Sequence, residues 1–238
     1  MSSDPAITPF AAPAAGLAAE MTMLAEVAAG RAGPSAFLWE AKAPGLVLPE
    51  RFTRDARFAD AAARCAAAGW PVTARRTGGG ITPQGPGVLN LALAFTVAPG
   101  RARTIRDSYA AICTPLVEAL GALGVTAEAA PVTGSFCDGA DNLAVAGRKI
   151  VGTAQRWRGT ACLAHALILT EIDLPPAVAA VQRLSDGLGH ADRFEVAMHC
   201  RLADLLACRD VTDTAAWHIR QAVTARGYAA WPGPAGAA

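Results

Sequence analysis

The sequence predicts an α+β fold in which a mixed, largely antiparallel sheet packs with helices. Three observations carry this expectation. Apolar and β-branched runs fall in adjacent groups, which suits antiparallel pairing. Stretches of strong helix formers precede and follow those groups. Glycines stand at most of the boundaries between them.

Residues 17–29 are helix formers that stop at Gly30. The runs Phe37-Leu38-Trp39-Glu40 and Leu46-Val47-Leu48 flank Pro44-Gly45 and read as a hairpin. Asp55 is placed to cap a helix that runs through Ala68 to Gly69. Residues 71–75 read as a strand entering Gly78-Gly79-Gly80, and 88–97 as a second strand with Asn90 as its polar exception. Thr104 with Asp107 resembles a capping box for a helix to Leu123, in which Pro115 predicts a kink or break. Strands follow at 125–129, 142–146, 149–156 and 161–170, the middle two joined at Gly147, and helices near 176–185 and 213–226 finish the chain. With no internal repeat and no linker composition, one domain is expected over 1–238. Its core covers about 17–228, with frayed ends at 1–14 and 229–238.

A net charge of +1 argues against an electrostatic grip on nucleic acid or an anionic membrane. Mean hydropathy is +0.29, but the most apolar stretch, 88–97, is far too short to span a bilayer. Met1-Ser2-Ser3-Asp4-Pro5 shows no signal-peptide pattern. Six cysteines without a CxxC pair or zinc spacing fit free thiols in a reducing cytoplasm.

Only two lysines stand against nineteen arginines. Arg is permanently charged, whereas Lys is a compact ammonium whose pKa can move. Lys42 in Glu40-Ala41-Lys42-Ala43-Pro44 needs no special role. Lys149 in Gly147-Arg148-Lys149-Ile150-Val151-Gly152-Thr153-Ala154-Gln155 is set for holding a carboxylate, acyl carbonyl or phosphate, or for depressing the pKa of a nearby thiol.

The loop Arg75-Arg76-Thr77-Gly78-Gly79-Gly80 is either a ligand cradle or an elaborate turn. Its glycines would let backbone N–H groups approach an anion, and its arginines would add charge-assisted bonds. A strand follows it and no Lys-Ser/Thr does, so it is neither a Walker loop nor a dinucleotide fingerprint.

Cys137, in Gly134-Ser135-Phe136-Cys137-Asp138-Gly139, is a candidate nucleophile, because a polar Gly-bracketed loop is a poor place to hide a thiol. An incidental loop position or a packing role would also account for a cysteine there. Cys65, Cys113 and Cys208 lie among Ala and Leu in helical patterns and read as buried small hydrophobes. Cys162 is the rival nucleophile, but it and His165 lie three apart on a strand and should point to opposite faces. His165 itself reads as a core histidine bonded to backbone. His190, His199 and His218 form no ligand set.

Taken together, the Arg75–Gly80 loop with Gly85-Pro86-Gly87-Val88-Leu89-Asn90, the Gly147–Gln155 segment, and His165 in Leu163-Ala164-His165-Ala166-Leu167 resemble the lipoate–protein ligase, octanoyltransferase and biotin ligase catalytic domain. The resemblance spans about 17–206. It implies an α+β catalytic fold and transfer of a medium-chain acyl group to a lysine of a lipoyl domain. Lys149 would contact the acyl carbonyl or adenylate. Arg75, Arg76, Gly78, Gly79, Gly80, Asn90, Asp141, Asn142, Gly152, Thr153, Ala154 and His165 would bind the acyl group or adenylate.

Departures from the family pattern bear on the mechanism. ATP-dependent ligases carry Asn-Asp where this chain has Asp141-Asn142, and many members carry His where it has Gln84. The two octanoyltransferase types place a Cys where Cys137 and Cys162 lie. The favoured expectation is a Cys137-dependent octanoyl or lipoyl transferase that needs no nucleotide and no metal. The alternatives are a lipoate–protein ligase using ATP and Mg, and a non-catalytic acyl- or adenylate-binding member. Implied partners are lipoyl domains of 2-oxoacid dehydrogenases or the glycine cleavage protein, acyl carrier protein, and a separate accessory chain.

Overall fold

The computed structural model describes residues 7–97 and 104–234. The Met1–Pro5 start and the outer parts of both expected frayed ends lie outside the described residues. In chain order the elements are β1 (Thr8–Phe10), α1 (Pro13–Ala28), β2 (Ser35–Ala41), β3 (Gly45–Pro49), α2 (Phe58–Ala67), β4 (Val72–Arg75), β5 (Thr82–Gln84) and β6 (Val88–Thr96). Then come α3 (Ile105–Ala122), β7 (Glu128–Ala129), β8 (Leu143–Val145), β9 (Arg148–Arg158), β10 (Ala161–Leu169), α4 (Leu174–Gly187), α5 (Val211–Thr224) and β11 (Ala229–Ala230).

The large sheet runs β1-β2-β6-β10-β9-β8-β7, with β11 also on β2, and the small sheet runs β4-β3-β5. Pairing from β2 through β7 is antiparallel, while β1, β11 and β4 pair in parallel. The α+β expectation therefore holds. Side-chain alternation on β10 builds two layers. Cys162, Ala164 and Ile168 join the core under α3 and α5. Leu163 packs beneath α1, and Leu167 and Leu169 pack toward the small sheet and α4.

Four local expectations need correction. The 37–48 region is not a hairpin: both edges of β2 are taken by β1 and β6, so β3 leaves to pair with β4 and β5. Asp55 does not cap α2. Its carboxylate accepts the Arg57 N–H and guanidinium in a turn, and the helix begins at Phe58. Pro115 does not break α3, which is continuous from Ile105 to Ala122 under its Thr104 cap. The strand expected at 125–129 forms only at Glu128–Ala129.

The ends are also better anchored than expected. β1 pairs with Trp39–Ala41, and α1 starts at Pro13, the N1 position where a missing N–H costs nothing. At the other end Trp231 is buried edge-on against Phe37 at 5.0 Å, with its Nε1 donating to Glu26.

Gly87 ties β6 to the end of β10. Its carbonyl accepts the N–H groups of Thr170, Glu171 and Ile172 at 3.0–3.1 Å. It adopts φ +79, and a Cβ added there would stand 2.2 Å from the Ile172 nitrogen. Gly87→Ala is expected to destabilise the protein by on the order of 3 kcal/mol, from left-handed strain plus overpacking against backbone. A denaturant midpoint checks this.

Candidate active site

Ala146 and Gly147 take φ +48 and +74, the left-handed pair that lets a two-residue turn close the β8–β9 hairpin. That turn sets Lys149 as the second residue of β9, where it is fully buried. Its Nζ donates to the carbonyls of Phe136 at 2.6 Å and Cys137 at 2.8 Å, and lies 5.1 Å from the Phe136 ring centroid. Burial brings the Lys149 pKa down to about 8, resisted by the Cys137 thiolate and assisted by Arg75. Gly152 leaves room for this side chain, since a Cβ there would sit 3.2 Å from both Cε and Nζ.

Cys137 itself adopts φ +54, a strained setting for a residue with a side chain. Its carbonyl is gripped by Lys149 and by Asn142 Nδ2 at 2.6 Å. Its sulfur accepts the Gly80 N–H at 3.0 Å. Buried Arg75 stands behind the glycine loop, donating to the carbonyls of Gly78 and Gly80 and to Thr82 Oγ1 at 2.9–3.2 Å. Burial alone would raise the Cys137 pKa, but the charges of Lys149 and Arg75, the Gly80 N–H and an Arg75 bond outweigh it. The thiol is therefore held below its ordinary value.

Two cavities meet at this sulfur. The inner one is narrow and lined by Leu17, Val47, Ala154 and Leu167 together with the polar pair Gln84 and Asn90. The outer one is wider and lined by Phe52, Tyr109, Asp138 and Phe194. Cys137 and Thr153 line both.

The other expected site residues divide clearly. Asn90 and Gln84 bond reciprocally at 2.7 and 2.9 Å, which explains a polar residue inside β6. Asn142 commits both amide atoms to the chain itself, to Cys137 O and to the Thr153 N–H at 3.0 Å. Asp141 contributes its carbonyl to Thr153 Oγ1. Arg76 does not join Arg75: it is exposed, and its carbonyl accepts from Arg156.

Cys162 and His165 do point to opposite faces. Cys162 is fully buried, and burial pushes its pKa up to about 12 against a bond from Ser108. Burial likewise raises Cys65, Cys113 (to about 12) and Cys200 (to about 11). Cys208 departs from its expectation, lying exposed in a loop rather than buried in a helix. Cys162→Ala should leave activity within about twofold of wild type, because it is walled off from the cavities, while costing about 1 kcal/mol of stability. Steady-state rates and thermal denaturation check the two halves.

His165 is bonded through side chains, not backbone. Its Nδ1 lies 2.7 Å from Glu20 and its Nε2 lies 2.9 Å from Thr77 Oγ1. Glu20 also accepts the Trp39 indole N–H at 2.9 Å. His165 lines both the inner cavity and a neighbouring cavity beneath α1.

Sequence reasoning missed Glu20, Thr77, Phe136 and His199. His199 Nε2 accepts the Phe136 N–H at 3.1 Å, and its ring stacks on the Phe136 ring at 4.2 Å. No local pattern marks such partners, which sit 63 or more positions away in the chain.

Comparison with known proteins agrees with this architecture. The model of the lipoyl protein ligase A/B catalytic domain matches residues 12–206. A Cupriavidus necator protein of uncharacterised function is 38% identical over 216 residues, covering 83% of this chain and 84% of its own length. An octanoyl-[GcvH]:protein N-octanoyltransferase of Kyrpidia tusciae is 47% identical over 92 residues, which is 38% of this chain and 31% of that relative.

Two solved structures share the fold. Lipoate–protein ligase A bound with ATP has a TM-score of 0.74 at 14% identity, covering 95% of this chain and 87% of its own. The bi-partite lipoate protein ligase of Thermoplasma acidophilum has 0.68 at 15%, covering 94% and 85%. Matched by the family model over most of its length, the chain belongs to the lipoyl protein ligase A/B catalytic-domain family, whose members are lipoate–protein ligases and octanoyltransferases.

Proposed function

We propose that this protein transfers an octanoyl or lipoyl group to a lysine of a lipoyl domain through a thioester on Cys137. One observation carries the proposal: Cys137, its thiol held below the ordinary value, lies at the junction of the two cavities, beside Lys149, Arg75 and the Gly80 N–H. The inner cavity, walled by Leu17, Val47, Ala154 and Leu167, would widen to take the acyl chain. The outer cavity would admit donor and acceptor.

In the first half-reaction the Cys137 thiolate attacks the donor carbonyl carbon. A carbon–sulfur bond forms, the donor's acyl bond breaks, and the departing thiolate or amine takes a proton from water. In the second, the acceptor lysine amine attacks the thioester. The carbon–nitrogen bond forms, the Cys137 thiolate is restored, and the surplus proton on nitrogen passes to water. Lys149 and Arg75 oppose the negative charge that develops on the carbonyl oxygen. The names of the Kyrpidia tusciae and Geobacillus kaustophilus relatives point to octanoyl-GcvH as a donor beside octanoyl-acyl carrier protein. Lipoyl domains of 2-oxoacid dehydrogenases or the glycine cleavage protein would be acceptors.

The ATP- and Mg-dependent alternative fits the charges less well. Adenylation makes no use of a thiol, yet the charges of Lys149 and Arg75 hold the Cys137 thiol below its ordinary value. Incubation without ATP with octanoyl-acyl carrier protein, and separately with octanoyl-GcvH, should leave an octanoyl adduct that peptide mass mapping assigns to Cys137 and hydroxylamine releases. No adduct from either donor, together with lipoate-dependent ATP–pyrophosphate exchange, would assign the adenylating reaction instead.

A further inference from the structure

The nucleophile loop poses a problem that Lys149 alone does not solve. Cys137 is held at φ +54, and two successive carbonyls, of Phe136 and Cys137, both face one ammonium. Such a backbone persists only when its surroundings fix it. The peptide N–H of Phe136 is buried and would have no acceptor within the loop.

His199 supplies that acceptor. It is 2% exposed, and its Nδ1 lies 2.9 Å from the Glu195 carbonyl. A carbonyl can only accept, so Nδ1 carries the proton and Nε2 is left as an acceptor for the Phe136 N–H at 3.1 Å. The imidazole also stacks on the Phe136 ring, with 23° between the planes. Burial and the nearby charge of Lys149 bring the His199 pKa down to about 4, which keeps the ring neutral. Its main chain is tied to the same site from the other side. His199 bridges Lys149 in parallel, and the following Cys200 N–H donates to the Lys149 carbonyl at 2.9 Å. One residue therefore registers the backbone of Lys149 against the backbone that carries Cys137.

We infer that His199 is a positioning residue for the Cys137 thiolate: by accepting the Phe136 N–H it aims both loop carbonyls at Lys149 and the sulfur at the Gly80 N–H. The inference rests on Cys137 being the nucleophile. It adds a residue that touches neither acyl group nor carrier, at a position with no motif around it.

The test separates the hydrogen bond from the ring. His199→Phe keeps an aromatic plane against Phe136 and removes the acceptor. His199→Gln returns an acceptor oxygen without the ring. Peptide-resolved iodoacetamide alkylation of Cys137 across pH reads the thiolate directly, and steady-state kinetics reads turnover. His199→Phe should move the alkylation midpoint up toward that of an ordinary thiol and lower kcat by about 10- to 100-fold, the scale of a misplaced reacting group. KM for the acceptor domain should be unchanged. His199→Gln should recover most of both.

A His199→Phe variant with wild-type midpoint and kcat would overturn the inference. So would a folded His199→Gln variant no better than His199→Phe, since ring packing would then be the cause. If His199→Phe does not fold, His199→Gln decides alone: a near-wild-type midpoint supports the hydrogen-bond role, and one matching Lys149→Met overturns it. Alkylation needs no acyl donor. A wild-type enzyme that forms no acyl adduct would therefore defeat the transferase proposal while leaving the His199 result readable.

Discussion

Cys137→Ser is expected to lower acyl transfer by about 10⁴-fold while leaving thermal stability close to wild type, an effect on the scale of losing a nucleophile from an otherwise intact site. Sulfur is replaced by an oxygen of similar size, so the left-handed loop, the Asn142 bond and the Lys149 bonds to main-chain carbonyls all have what they need. What disappears is the anion. The charges of Lys149 and Arg75 suffice to bring a thiol below its ordinary pKa, but a hydroxyl lies too many orders of magnitude away to ionise in the same field. Turnover of an octanoyl donor and intact mass of the trapped enzyme measure the two consequences. A serine enzyme with substantial activity would remove Cys137 from the chemistry.

Lys149→Met should cost about 10³-fold in kcat, combining the loss of an oxyanion-stabilising cation with a smaller thiolate fraction. Methionine fills the buried channel past Gly152, so the volume is kept. The carbonyls of Phe136 and Cys137 nevertheless lose their shared donor, and the sulfur loses its largest favourable charge. Lys149→Arg is not a rescue, because a planar guanidinium does not fit where a Cβ on Gly152 would already approach the ammonium to 3.2 Å.

The pH dependence has a definite sign. The Cys137 pKa is lowered, so activity should rise with pH through a midpoint below that of an ordinary thiol. Lys149 titrates near 8, so activity should fall again as its proton is lost above that value. In Lys149→Met the descending limb should vanish and the ascending limb should move to higher pH. A pH–rate profile with peptide-resolved alkylation checks both limbs.

Much of this site could be read from the chain, because its parts announce themselves locally. Lys149 stands out as one of two lysines among nineteen arginines. Cys137 stands out because Gly134 and Gly139 bracket it in polar company. The β8–β9 pair stands out through branched residues and a left-handed turn at Gly147. What was hidden is what the fold brings together from afar. Glu20 reaches His165 across 145 positions, and His199 reaches Phe136 across 63, without any period or spacing to reveal it. The departure of β3 was hidden for the same reason. Whether two apolar runs pair depends on which strand edges are vacant, and β1, a three-residue strand with Pro9 in it, gave little sign that it would take one.

The placement of Cys137 where two cavities meet has a kinetic consequence under the proposed reaction. If the acyl chain stays in the inner cavity while carriers exchange at the outer one, donor and acceptor use one doorway in turn and never share it. Initial rates at several fixed acceptor concentrations should then give parallel double-reciprocal lines. A high concentration of unmodified lipoyl domain should compete with the donor for free enzyme. Intersecting lines would mean that both carriers sit on the protein at once, each with a doorway of its own.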